Sequence, residues 1–194
     1  NEEIGIPGIS IKLLWADVSV GMSQFISSYR RFSERGVPVV FSDYTMGVEA
    51  LKTQFEKDEV PFVVGSTTAV MVYPPGWVYC FMPTFGEVAT GVLDYFMENW
   101  KEERPPKVAF IGPDSSFGRA PAEECPEYAE SIGMEMLPME FSGYIVLDAT
   151  TQLLRMKERG ADLVYIQNIV SAAGPILRDA ERLGLLGKMQ FSGL

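Results

Sequence analysis

The chain has 194 residues, 47 % apolar and 12 % aromatic, enough for one large domain or two small lobes with a substantial core. A net charge of −10 argues against nucleic acid or an anionic membrane surface as partner, and the absence of histidine removes the commonest general base and metal ligand. Cys80 and Cys125 stand far apart without CxxC spacing, which excludes a structural zinc site and leaves two buried thiols or a disulfide as readings.

In chain order, Ile9, Ile11, Leu13 and Trp15 alternate with other residues and predict a strand that ends at Asp17. Val18, Met22, Phe25, Ile26, Tyr29 and Phe32 recur at helical spacing, with Gly36 as the stop. Residues 37–41 read as a strand, 46–57 as a helix and 60–64 as the next strand. Tyr73-Pro74-Pro75-Gly76-Trp77 is loop, because consecutive prolines and glycine exclude helix, and 78–82 is a short strand.

The same cadence then resumes. Val88, Val92, Phe96 and Trp100 mark a helix closed by Arg104-Pro105-Pro106, and 107–111 is a strand. A helix over 122–132 precedes a strand at 134–139, and Asp148 is placed to cap a helix running through Arg159. Residues 163–167 form a strand; Ile176, Leu177, Ala180 and Leu183 line a helix stopped by Gly184, and 189–191 begin a last strand. Strands separated by helices predict parallel sheets covered on both faces. Pro83-Thr84 is the expected boundary between a first lobe, 1–83, and a second, 84–194, with a cleft between their strand ends.

The segments with chemistry follow strands. Ser66, Thr67 and Thr68 place consecutive hydroxyls after the 60–64 strand, where open α/β folds bind small polar ligands. They read either as a carboxylate-holding site or as a turn that caps the next segment. Thr45 is placed to cap the helix that begins at Met46, and a helix N-terminus also favours anions. Residues 112–118, bounded by Gly112 and Gly118, lack both GxGxxG and a phosphate-loop lysine; Phe117 reads as a cleft wall or a core residue. Gln167 and Asn168 put two amides at the end of the 163–167 strand, either to read a ligand or to terminate the strand. Ser115 and Ser116 lack any histidine for a triad, and Glu102-Glu103 and Glu123-Glu124 read as solvated helix faces. No catalytic, metal or cofactor site is expected.

In order and spacing the chain resembles the type I periplasmic solute-binding proteins, in particular the branched-chain amino-acid and amide receptors of ABC importers. The resemblance is carried by Gly5-Ile6-Pro7-Gly8-Ile9, by 62–69 (FVVGSTTA), by 107–111 leading to Ser116-Phe117-Gly118, by Asp148-Ala149-Thr150, by 160–165 (GADLVY) and by 176–180 leading to Gly184. It implies two Rossmann-like lobes that close by hinge motion over an amino acid or similar solute, with 82–85 as one hinge strand. Ligand contacts are implied at Thr45, Ser66, Thr67, Thr68, Phe117, Gln167 and Asn168, with the carboxylate on hydroxyls and amides. A membrane permease is the implied partner, no cofactor is implied, and the expected location is periplasmic or extracytoplasmic, with or without a lipid anchor. Two positions depart from the pattern: Phe117 stands where the family usually has Tyr, and a second aromatic common near Ile169 is absent. An acidic residue that takes the ligand's ammonium falls beyond Leu194 in this pattern. The chain is therefore expected to be part of a longer protein, lacking its first strand and helix. A regulatory ligand sensor of the same fold and a doubly wound enzyme are the rival readings.

Overall fold

The computed structural model describes residues 8–19 and 21–194. Two parallel sheets organise it, each fed by helices. The first contains β1 (Val40–Phe41), β2 (Phe62–Val64) and β3 (Val78–Cys80), in that spatial order. Helix α1 (Met22–Ser33) precedes β1, α2 (Thr45–Asp58) joins β1 to β2, and the short α3 (Ala69–Val72) follows β2. Alternation sends Phe62, Val64 and Val78 into a core shared with Phe25 and Tyr29 of α1 and Val48 and Phe55 of α2. The tilted and stacked rings of Phe25, Phe62, Phe55 and Tyr29 form its centre. The opposite face, with Val39, Phe41, Tyr79 and Phe81, is exposed among the described residues.

The second sheet follows α4 (Phe85–Asn99) and comprises β4 (Lys107–Pro113), β5 (Glu135–Met136), β6 (Glu140–Ser142), β7 (Leu163–Ile166) and β8 (Gln190–Gly193). Its order is β5-β4-β7-β8, with β6 pairing the far end of β4. The helices are α5 (Ser116–Glu124), α6 (Pro126–Ser131), α7 (Thr150–Glu158) and α8 (Val170–Arg182). β4 and β7 are buried on both faces, as central strands of a parallel sheet must be. Val108, Phe110, Leu163 and Tyr165 face α4 to α6, whereas Ala109, Ile111, Val164 and Ile166 face α7 and α8. At the strand starts, Arg104 holds Asp162 through two bonds of 2.8 and 2.7 Å, and the Lys107 N–H adds a third. Burial pushes the Asp162 carboxyl up, but these donors outweigh it and hold it below the usual range.

The start of α4 is a capping box: the Thr84 hydroxyl accepts the Glu87 N–H while Glu87 accepts the Thr84 N–H. Thr84 is buried. Thr84→Ala should therefore lower stability by about 1 kcal/mol, read as an unchanged slope and a lower midpoint in urea unfolding.

Several expectations need correction. Residues 9–15 form no strand: no sheet bond reaches them among the described residues, and Ile11, Leu13 and Trp15 are about four-fifths exposed. Apolar alternation makes a strand only where an edge is available to pair it. These side chains and the exposed β1 residue Phe41 instead border an apolar groove of about 960 Å³ that none of the expected ligand residues lines. Gly5, Ile6 and Pro7 lie outside the described residues. Helix α1 begins at Met22, leaving Val18 before it.

Thr45 does not cap α2; Tyr44 occupies that position and Thr45 is the first helical residue, buried. The single helix expected over 122–132 is two, because Pro126 cannot donate to the preceding turn and starts a new helix instead. Of the strand expected over 134–139 only β5 forms; Pro138 interrupts the run, and β6 begins beyond it at Glu140. Ala149 takes the cap position of α7, although Asp148 still accepts the Thr150 N–H at 2.9 Å. The 82–85 segment is irregular up to Thr84 and enters α4 at Phe85, so it is not a strand. Both cysteines are free thiols; Cys125 is buried, its pKa pushed up to about 12 by burial, but Cys80 is only half-buried.

Candidate functional site

The carboxyl ends of parallel strands carry free amides and side chains. Here β4 leads into the first turn of α5, β7 ends beside it, and the turn after β2 packs against the start of α4 and the far end of α5. The 65–69 turn leaves β2 and crosses directly onto the start of α4. Met82 N–H donates to Gly65 O at 2.9 Å, Phe85 N–H to Thr67 O at 2.9 Å, and Ser66 Oγ to Pro83 O at 2.6 Å. Asp43, after β1, accepts the Gly65 N–H at 2.6 Å and fixes the other flank of the turn.

Each hydroxyl in the turn has a different environment. Ser66 commits its proton to Pro83, so it offers a ligand only lone pairs. Thr68, buried, lies 3.4 Å from the Glu49 carboxylate of α2. Thr67 is 1 % exposed, and its Oγ1 has no hydrogen-bond partner among the described residues.

From the second sheet, β4 runs into Pro113, and the Ser115 hydroxyl caps α5 by accepting the Gly118 N–H. Gly118 is required here: a Cβ would collide with the Pro113 carbonyl. The sharp entry leaves Phe117 half-buried in the first turn of α5, which begins ahead of the helix expected over 122–132. Its ring meets Phe85 edge-on at 5.1 Å and stacks with Tyr144 at 6.3 Å. The Tyr144 hydroxyl lies 3.0 Å from Ser115 Oγ. Thr67, through Phe85, is thus joined to Phe117 and Tyr144.

Gln167 and Asn168 follow β7. Gln167 continues the alternation of Leu163 and Tyr165, the face covered by α4 to α6. It is fully buried, yet neither Nε2 nor Oε1 finds a partner among the described residues. Asn168, also buried, is saturated: Nδ2 donates to Ser142 Oγ and Gly143 O at 3.1 and 3.0 Å, and Oδ1 accepts the Ile169 N–H. It ties the β7 end to the loop bearing Tyr144. Among the described residues five buried polar side-chain atoms lack partners, and four belong to Thr67, Ser116 and Gln167 at these strand ends. The fifth is the Tyr165 hydroxyl in the core, its pKa pushed up to about 12 by burial.

Phe117, Gln167 and Asn168 therefore lie at the β4 and β7 ends of the second sheet, the 66–68 turn lies against the start of α4 and reaches Phe117 only through Phe85, and Thr45 is buried at the base of α2. Sequence reading missed Tyr144, Ser116 and Glu124. Glu124, expected on a solvated face, is half-buried and accepts the Ala69 N–H at 2.9 Å and the Gly86 N–H at 3.0 Å. An isolated Glu-Glu pair gives no sign of this, because the acceptor role depends on which helix ends meet it.

Two helix-flanked parallel sheets with this order define a type I periplasmic binding fold. The chain belongs to the periplasmic binding protein family, whose pattern it matches along residues 1–194. It is similar to a crystal structure of a branched chain amino acid ABC transporter from Thermus thermophilus with bound valine. The TM-score is 0.89 and the identity 26 %, over 99 % of this chain and 50 % of that one. It is also similar to the Leu/Ile/Val-binding protein homolog 2 of Brucella abortus (strain 2308), 24 % identical across 98 % of this chain and 51 % of that protein. A solute binding protein of an ABC transporter from Rhodopseudomonas palustris HaA2, in complex with p-hydroxybenzoic acid, shares the fold at a TM-score of 0.79. Its identity is 14 %, over 93 % of this chain and 50 % of that one. The chain spans about half the length of the curated relatives it matches. No helix among the described residues is long and apolar enough to cross a membrane.

Proposed function

We propose that the protein is the solute-binding component of an ABC importer, acting outside the cytoplasm and delivering its ligand to a membrane permease. The observation that carries this is the set of buried polar atoms on Thr67, Ser116 and Gln167, at the strand ends of the two sheets, that have no partner among the described residues. Buried polar groups are ordinarily paired, and unmet ones at a cleft mark a place for ligand groups. The site holds a solute rather than transforms it.

The two lobes divide near Pro83-Thr84, and the irregular 82–84 crossover serves as one hinge. A solute that contacts both lobes favours the closed form by its differential affinity for it. Thr67 donates to the ligand carboxylate, with Ser66, Thr68 and Thr45 completing the first-lobe surface. Gln167 reads a second polar group, Asn168 holds the β7 end in place, and Phe117 with Tyr144 walls the apolar side chain. A branched-chain amino acid fits these groups, consistent with the valine-bound relative. The absent aromatic at Ile169 and the phenylalanine at 117 leave room for a related acid.

A thermal-shift screen of the full-length protein against valine, leucine, isoleucine, short amides and aromatic carboxylates tests this. A ligand at a hundred times its dissociation constant stabilises by roughly 2.7 kcal/mol, a plain shift in Tm. A folded protein that responds to none of them would contradict the reading. Thr67→Val, which keeps shape but removes the hydroxyl, should weaken binding of the hit at least tenfold, since a hydrogen bond to a charged group contributes about 1.5–3 kcal/mol. Calorimetry showing unchanged affinity would take Thr67 out of the site.

A further inference from the structure

Glu124 is the last residue of α5, the helix whose first turn carries Phe117. Its carboxylate reaches two other elements at once. Oε1 accepts the N–H of Ala69, which directly follows Thr68, and Oε2 accepts the N–H of Gly86 in the first turn of α4. Both are helix-start amides that no intrahelical carbonyl can satisfy. Gly86 is fitted to the contact, since a Cβ there would collide with the Glu124 side chain.

We infer that Glu124 is a positioning residue: its carboxylate clamps the turn bearing Thr67 and Thr68 onto the helix bearing Phe117, and so sets the width of the ligand cleft. The inference rests on the solute-binding reading for its effect on affinity, but not for the clamp itself. One short helix carries an aromatic wall at one end and a grip on the opposing polar turn at the other. A displacement of the grip therefore moves the two halves of the site relative to each other.

The electrostatics fit a group kept for geometry. Burial raises the Glu124 carboxyl above its ordinary range, the two N–H donors oppose that only in part, and Glu87 on α4 and Glu123 on α5 add repulsion. The remaining neighbours are the neutral Cys125 thiol on α5, α3, which has no titratable side chain, and Glu49 of α2, beside Thr68. A carboxyl raised on folding contributes stability below its unfolded pKa and loses that contribution as pH rises through its folded value. Above the raised value the ionised clamp thus acts against global stability. As pH falls through the raised value, this group's stability contribution grows while its grip on the two amides weakens.

The test is amide hydrogen exchange in the full-length protein without ligand, followed by valine titration. In Glu124→Ala, exchange at Ala69 and Gly86 should rise at least tenfold while the amides inside α5 keep their protection, and valine affinity should fall five- to fifty-fold. Glu124→Gln retains one acceptor and the volume, so it should lie between, with Tm unchanged or higher; it also decides the matter if the alanine variant fails to fold. Wild-type affinity should decline with acid as the Ala69 amide loses protection. Unchanged exchange at Ala69 in both variants overturns the clamp, and raised exchange with unchanged affinity overturns its control of the cleft width. Failure of the wild-type protein to bind valine or any other screened solute would instead count against the functional reading, and exchange at Ala69 would still decide the clamp.

Discussion

Phe55→Ala is expected to lower the stability of the protein by about 3–5 kcal/mol, among the largest effects of any single truncation. Phe55 is fully buried on α2, stacked on Phe62 at 4.3 Å and edge-on to Tyr29 at 4.9 Å. Its ring joins α1 and α2 to the central strand β2, so its removal leaves a cavity bounded by three elements that cannot collapse independently. Tyr29 is also anchored through its hydroxyl to Asp58 at 2.8 Å, which prevents it from swinging in to fill the space. The loss is read from the urea midpoint at constant slope. A change below about 1 kcal/mol would mean that the first-sheet core is not packed as described. Because β2 leads directly into the 65–69 turn, the same variant should also weaken ligand binding.

Gln167→Leu should produce opposite effects on stability and function. The wild-type amide is fully buried, and neither polar atom has a partner among the described residues, a condition that costs about 1–3 kcal/mol. Leucine matches its volume and removes the penalty, so Tm should be unchanged or higher. If the amide meets the ligand in the closed form, affinity should fall at least tenfold, because an apolar side chain then faces a polar group. This dissociation separates a binding residue, retained at a cost in stability, from one that only ends a strand. Equal losses of stability and affinity would assign Gln167 to the fold alone.

The sequence revealed most of the second sheet because its central strands are covered on both faces. The runs Val108 to Ile111 and Leu163 to Ile166 are apolar at every position, and no helix of similar length reads that way between Pro106 and Gly112. The hydroxyls of 66–68 and the amides of Gln167 and Asn168 were legible as site candidates for the same reason, since they interrupt apolar runs at strand ends. Which of them are free was not legible. Ser66 is engaged by Pro83 and Asn168 by Gly143, contacts with residues seventeen and twenty-five positions away that only the fold brings together. The alternation at 9–15 carried a real β signal but no information about a pairing edge. Glu124 was hidden for the converse reason: a glutamate at a helix end resembles any solvated acid until two other helix starts are placed against it.

The most direct test of the central claim is a crystal structure of the full-length protein grown with L-valine. The account predicts a valine between the 66–68 turn and the first turn of α5, its carboxylate on Thr67, Gln167 within hydrogen-bond reach and its side chain against Phe117 and Tyr144. A valine bound elsewhere, or this cleft unoccupied at saturating valine in a closed protein, would contradict it.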